Sequence, residues 1–335
     1  MPSQENPEFV VFKGKRYPIQ NNELSIIYSP EKLTHIEEIE GLEHCNDLKS
    51  LNLALNAIRK INGLDHLQKL EHLNLSSNEF EQISGLEHLK ALKSLNLEAN
   101  FQLRRISGLE GLVNLEELRL GNNFFTKIEG LSNLRNLKIL RFSDGEGYGT
   151  PIEKIEGLEN LEKLEWLDLH GPEGGGKIQK IEGLSTLKNL KRLDLSYQNI
   201  SEVETIHNLK NLNEVELTYN KISKLNLESS SIKALFLDYN NIINIEDLNL
   251  EKIPNLETLT LSCNKINQIK DISNLKNLKQ LNLRDNQISH LEKFVISPNL
   301  IRLALDGNPI PERALEKIGG KRYDKTIYFK EDGYL

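Results

Sequence analysis

Leu48-Lys49-Ser50-Leu51-Asn52-Leu53-Ala54-Leu55-Asn56-Ala57-Ile58-Arg59-Lys60-Ile61-Asn62-Gly63-Leu64-Asp65-His66-Leu67 is the stretch from which the rest of the chain can be read. Its pattern, L-x-x-L-x-L-x-x-N-x-I-x-x-I-x-G-L-x-x-L, recurs along the sequence, and self-similarity at a fixed period signals stacked repeats. The first apolar residue of each unit falls at Leu48, Leu70, Leu92, Leu115, Leu137, Leu164, Leu190, Leu212, Ile232, Leu256, Leu278 and Leu300. The spacings are 22, 22, 23, 22, 27, 26, 22, 20, 24, 22 and 22 residues.

Within a unit the x-x-L-x-L-x stretch alternates apolar and polar residues, which predicts a short strand with one buried face. The remaining I-x-x-I-x-G-L-x-x-L must turn back as a short helix or a 3₁₀ turn. Stacking such units predicts an α/β solenoid, a curved horseshoe with a parallel sheet on the concave face and short helices or 3₁₀ turns on the convex face. Each unit offers roughly seven inward apolar side chains, each worth about 1.5–3 kcal/mol when buried. Truncating one, as in Leu118→Ala, is expected to cost about 2–5 kcal/mol in urea unfolding.

An Asn follows the strand at Asn56, Asn78, Asn100, Asn123, Asn220, Asn240, Asn264, Asn286 and Asn308. Its amide can satisfy backbone groups of the adjacent turn that burial would otherwise leave unpaired. The ends need covers. Residues 1–35 are assigned to an N-terminal cap, a hairpin through Phe9–Phe12, Lys13-Gly14-Lys15 and Arg16–Ile19 together with a degenerate repeat strand. The repeats occupy 36–311. A C-terminal cap follows over 312–335, with a helix from Glu312 to Ile318 and a last strand at Thr326–Phe329.

The bulk properties narrow the function. The chain has 335 residues, a length that suggests about two globular domains, but a repeat array lengthens its core without thickening it. With 49 acidic against 42 basic residues and a net charge of -7, no global positive field draws nucleic acid or an anionic membrane. The two cysteines, Cys45 and Cys263, are too far apart in the array to bridge, which favours a reducing compartment and a cytoplasmic location. The polar N-terminus shows no secretory signal, and no long apolar run suggests a membrane span.

The segments Ile128-Glu129-Gly130-Leu131-Ser132-Asn133-Leu134 and Ile155-Glu156-Gly157-Leu158-Glu159-Asn160-Leu161 carry a specific likeness. Through them the chain resembles the 22-residue leucine-rich-repeat class typified by the regulatory leucine-rich-repeat subunit of protein phosphatase 1 and shared by bacterial internalins. The resemblance implies a non-catalytic scaffold that recruits or regulates a protein partner on its concave surface, with a phosphatase-regulatory adaptor as the narrower form and a surface adhesin as the alternative. Two repeats depart from the class: those starting at Leu137 and Leu164 are longer by five and four residues, and their Asn position falls on Gly145 and Pro172. An internalin would also carry an export signal and an immunoglobulin-like domain or anchor, neither of which is visible.

Several motifs invite chemistry. Gly171-Pro172-Glu173-Gly174-Gly175-Gly176-Lys177-Ile178 fits G-x-x-x-x-G-K but has Ile178 where a phosphate loop needs Ser or Thr, so an insertion loop is the better reading. His44, His66 and His88 occupy one repeat position and could present stacked imidazoles to zinc. The later residues of that column, Gly111, Asn133, Asn160, Thr186 and Asn208, favour a turn preference instead. Cys45 stands where other units have Leu and is read as buried. No cofactor, metal or catalytic arrangement is assigned, because regular columns of polar residues offer no deep pocket.

The strand-face columns differ from one another. Lys49, Glu71, Lys93, Glu116, Lys138, Glu165 and Lys191 alternate in sign and read as a register-fixing ladder. The next column runs Asn52, Asn74, Asn96, Arg119, Arg141, Asp168, Asp194 and Glu216, ending in like charges that call for a cation or a basic partner. Trp166, His170, Arg192, Tyr197, Tyr219, Phe236, Asp238 and Tyr239 lie beside it. Aromatics next to charges favour an interface. The strip from Arg119 to Tyr239 is therefore the expected protein-binding site of a monomeric chain, with the glycine-rich insertions at 144–151 and 171–177 at its rim.

Overall fold

The computed structural model describes residues 7–144, 149–203, 206, 208–292 and 294–329. Gly145, Glu146, Gly147 and Tyr148 of the first insertion lie outside the described residues. The chain divides into two compact units, Met1–Gly176 and Lys177–Leu335.

The first unit opens with an antiparallel hairpin of β1 (Phe9–Phe12) and β2 (Lys15–Pro18). Lys13 and Gly14 join them at φ 50° and 74°, the positive pair that matches the twist of a two-residue hairpin. Seven parallel strands follow: β3 (Glu23–Ser25), β4 (Ser50–Asn52), β5 (His72–Asn74), β6 (Ser94–Asn96), β7 (Glu117–Arg119), β8 (Ile139–Arg141) and β9 (Trp166–Asp168). Each pairs with the next, so Leu24, Leu51, Leu73, Leu95, Leu118, Leu140 and Leu167 form one row. The whole row is buried. Strands of three residues suffice because the buried Leu at the centre of each carries the packing.

The second unit repeats the plan in β10 (Arg192–Asp194), β11 (Glu214–Glu216), β12 (Ala234–Phe236), β13 (Thr258–Thr260), β14 (Gln280–Asn282) and β15 (Arg302–Ala304). Leu193, Val215, Leu235, Leu259, Leu281 and Leu303 are its central row. The end is closed by α1 (Glu312–Leu315), β16 (Lys321–Tyr323) and β17 (Thr326–Tyr328). β17 runs antiparallel to β15 and to β16, covering the edge that the last repeat leaves open. The helix is shorter than the 312–318 read from sequence, and β16 was not anticipated: all three of its residues are exposed, so no alternation marks it.

Regular helix is nearly absent from the return side. Apart from α1, the helical segments among the described residues are 3₁₀ turns at Ile36–Glu38, Leu42–His44, Ile245–Leu248 and Leu250–Lys252. The reason is the three-residue spacing of Leu64, Leu67 and Leu70, which supports successive turns, Leu67 N–H to Leu64 O at 2.9 Å and Leu70 N–H to Leu67 O at 3.1 Å. Glycine opens the returns at Gly41, Gly63, Gly85, Gly108, Gly130, Gly157 and Gly183, and in several of them the backbone of the turn before comes close. A Cβ on Gly85 would lie 1.9 Å from Ile61 O, and one on Gly108 2.3 Å from Ile83 O.

The post-strand Asn column does what its chemistry allows. Asn78 Nδ2 donates to Leu53 O, Leu75 O and Ser76 O at 3.0, 3.1 and 3.2 Å, while its Oδ1 accepts from Ile58 N–H at 3.0 Å. A second ladder, unread in the sequence, ties the return side: Asn114, Asn136, Asn211, Asn277 and Asn299 each donate to a carbonyl one turn earlier, at 2.8–2.9 Å.

Where the first column lapses, other groups step in. Gln198 accepts from Ile178 N–H at 3.1 Å and is buried. In the first lengthened repeat, Thr150 returns from the insertion: its N–H donates to Phe142 O at 2.9 Å and its Oγ1 to Leu120 O at 3.3 Å. Those are carbonyls of the same two repeat positions that an Asn amide bonds elsewhere. Asn240→Ala strips partners from Leu217 O, Leu237 O, Asp238 O and Ile222 N–H. It is expected to lower urea-unfolding stability by about 3 kcal/mol; a loss under about 1 kcal/mol would contradict this role.

Candidate functional site

In the first unit, Arg119 on β7 is held by Glu117 at 2.7 Å. Arg141 on β8 pairs with Asp168 on β9 at 3.1 Å and lies over the Trp166 ring at 4.7 Å from its centroid. Asp168 also accepts from Ser143 Oγ at 2.7 Å and from His170 N–H at 3.1 Å, and only 2% of it is exposed. This corrects the reading of Asp168 as one of a run of unneutralised charges facing a partner. Its charge is balanced internally by Arg141, and the two bury each other.

The second unit keeps its acids. Asp194 accepts from Ser196 N–H at 2.9 Å, and Asp238 from Thr260 Oγ1 at 2.6 Å. Arg192 pairs with Glu214 at 3.0 Å. Glu216, hydrogen-bonded by the Thr218 hydroxyl, has its carboxyl pushed up to about 7, first by burial and then by Asp194, Asp238 and Glu214. Phe236 on β12 is half-buried beside them.

Tyr197, Tyr219 and Tyr239 form a stack, with centroids 4.2 Å apart at 24° and 4.0 Å apart at 9°. All three sit at φ 55°. The position is left-handed in every repeat that fills it with Leu55, Ser77, Ala99, Asn122, Cys263 or Asp285, because its N–H continues the ladder three residues past the strand, as Tyr219 N–H does to Asp238 O at 3.0 Å. A left-handed conformation costs a side-chain-bearing residue roughly 1–2 kcal/mol. Gly307 meets the same demand without that penalty, so three successive tyrosines are a choice the backbone does not ask for.

The remaining motifs are structural. Lys138 reaches Glu116 at 2.7 Å and Lys279 reaches Glu257 at 2.5 Å, so the alternating column is a ladder. His66 Nε2 contacts Leu42 O at 2.8 Å, as Asn133 Nδ2 does Glu110 O at 3.2 Å from the same repeat position. No group of three metal-ligating side chains occurs among the described residues. Cys45 is buried, its thiol pushed up to about 11 by burial and then by Glu43; Cys263 is half-exposed. In the second insertion Gly175 N–H turns back to Pro172 O at 3.0 Å, and no helix follows to receive a phosphate.

The expectation of no deep pocket is wrong for the first unit. A cavity of about 650 Å³ opens there, bordered by Phe101, Asn122, Phe124, Asp144, Pro151 and Glu173. Single-repeat reasoning missed it because it is built from irregularities in successive repeats.

Leucine-rich-repeat family profiles match residues 230–288 and 254–310, and a profile of two such copies matches 68–111. An internalin, InlF of Listeria monocytogenes, superposes with a TM-score of 0.66 at 26% identity over 79% of this chain and 75% of its own. A leucine-rich-repeat protein of Leptospira interrogans gives 0.53 at 25%, over 83% of each chain. A chain of the octameric complex of latrophilin 3, Unc5D and FLRT2, whose FLRT2 component is its leucine-rich repeats, gives 0.69 at 21%, over 89% and 94%. No match was found among curated proteins by sequence. The chain is a leucine-rich-repeat solenoid.

In this leucine-rich-repeat solenoid Glu216 ties stability to pH. Its folded carboxyl titrates at about 7 against an ordinary 4.5. Below pH 4.5 both folded and unfolded chains hold the proton. Between 4.5 and 7 only the folded chain does, so rising pH removes stability, up to roughly 3 kcal/mol, and above 7 the loss is complete. Glu216→Gln is expected to abolish that part of the decline between pH 4.5 and 7 and to raise the urea midpoint at pH 8. An unchanged pH profile would show that Glu216 carries no such burden.

Proposed function

We propose that this chain is a non-catalytic scaffold that holds a protein partner on its strand face, and that the second unit carries the contact. The observation behind this is the tyrosine stack at 4.0–4.2 Å, placed at strained positions beside Asp194, Glu216 and Asp238. The left-handed backbone is common to the column; what is particular to this stretch is that three successive positions carry aromatic rings, the residue type that interfaces favour. Rigid rings bring large contact area at low entropic cost, and the carboxylates select a basic partner. A Lys or Arg arriving at Glu216 favours its charged form and offsets the burial and neighbouring carboxylates that hold its proton.

The internalin and the other superposable chains support a binding scaffold. A phosphatase-regulatory adaptor is the narrower reading, resting on the return motifs at 128–134 and 155–161, and it is decided by direct binding to a purified phosphatase catalytic subunit. A monomer in the cytoplasm fits two cysteines that are both free thiols. A surface adhesin is the second reading, favoured by the internalin match at 26% identity; protease treatment of intact cells, which removes an adhesin and spares a cytoplasmic scaffold, separates the two.

The test of the main reading is quantitative affinity capture from the native source with mass spectrometry. A partner held by the wild type is expected to be lost with Asp194→Lys plus Asp238→Lys, and weakened about tenfold or more by Tyr219→Asn, whose side chain suits a left-handed position. Retention of the same partner by both variants would overturn the assignment of this surface.

A further inference from the structure

The cavity of the first unit collects departures from the repeat pattern. The residue after the post-strand Asn is polar or charged in most repeats, as at Glu79, Asn199, Lys221, Lys265 and Gln287. In two adjacent repeats it is Phe101 and Phe124, 58% and 45% exposed. The Phe101 unit is one residue longer than 22, and the next two borders of the cavity, Pro151 and Pro172, belong to the lengthened repeats. Four successive irregularities thus meet at one cavity of about 650 Å³, within the range of small-molecule sites.

Its walls are firmly seated. Ser143 bridges to Gly149, and a Cβ on Gly149 would stand 1.9 Å from His170 O, so Gly149 packs directly against the backbone of the next repeat. Exposed aromatic side chains without a packing role are what a solenoid discards unless something covers them.

The polar groups point to one ligand chemistry. The charged residues bordering the cavity are Asp144 and Glu173, both acidic. Asn122 gives one amide N–H to Asp144 Oδ2 at 2.5 Å, and its Oδ1 is buried with no partner. That is an acceptor awaiting a donor. The Phe124 ring already takes a cation, Arg104, at 5.3 Å from its centroid, and aromatic faces attract positive charge.

We propose that this cavity binds a small organic cation, an apolar and preferably aromatic body bearing one ammonium group. The body lies between Phe101, Phe124 and the two prolines, and the ammonium donates to Asn122 Oδ1 and faces Asp144 and Glu173. A rim whose charged residues, Asp144 and Glu173, are both acidic repels a carboxylate and gives a neutral alcohol less than an ammonium.

Titration calorimetry of the full chain near pH 7 with phenethylammonium, phenylpropanol and phenylpropanoate tests this. Phenethylammonium is expected to bind one to one, about tenfold or more tighter than the alcohol, with no heat from the carboxylate. Phe124→Gln, which installs the residue type of Gln287, and Asp144→Asn are each expected to weaken it about tenfold or more while the urea midpoint holds. Equal affinity for alcohol and ammonium, no binding at all, or unchanged binding in both variants would overturn the proposal. So would binding only of a short peptide with lysine between two phenylalanines, since that assigns the cavity to a protein side chain.

Discussion

Every turn of this solenoid must bury backbone carbonyls where strand gives way to loop, and the carboxamide of the post-strand Asn is what makes that possible. One side chain offers two N–H donors and one acceptor, enough to bind carbonyls of its own turn, a carbonyl of the turn before, and an N–H in return. Asn240 does all of this in the second unit as Asn78 does in the first. The constraint is on hydrogen bonding rather than on residue identity. Gln198 meets part of it with a longer amide, and Thr150 with a hydroxyl and its own backbone.

Once the turns are locked, register follows, and register creates columns. In a column every residue has the same backbone conformation and the same neighbours above and below, so side-chain choice is read against a fixed background. The left-handed column shows this best. Leu55, Ser77 and Ala99 fill it without comment, whereas Tyr197, Tyr219 and Tyr239 use the common spacing to stack. The like-charged column is handled in two ways. Asp168 is neutralised by Arg141 and buried, while Glu216 remains against Asp194 and Asp238 and resists ionisation.

The repeat, its strands and the inward Leu rows were legible in the sequence because the alternation around each Leu pair is strict. The Asn column was legible for the same reason, but its substitutes were not, since Gln198 is one methylene off the pattern and Thr150 arrives from five inserted residues. The pairing of Arg141 with Asp168 lay in the column itself, where the two are register partners, and grouping Asp168 with Asp194 and Glu216 as one acidic run obscured it. The cavity escaped because none of its parts is unusual alone. Phe101 and Phe124 each follow a post-strand Asn at a position that varies from repeat to repeat, and Pro151 and Pro172 lie in the lengthened repeats.

We propose a division of labour: residues that obey the repeat build the frame, and residues that break it without structural need are free to form binding surfaces. A single chain carrying Phe101→Gln, Phe124→Gln, Tyr197→Asn, Tyr219→Asn, Tyr239→Asn and Glu216→Gln tests this most directly by its urea-unfolding free energy. Easing left-handed strain and removing a buried carboxylate while losing only rings that are exposed or half-exposed, it should be at least as stable as the wild type. A fall of several kcal/mol, on the scale of a lost core leucine, would show that these side chains hold the frame together and would contradict the account.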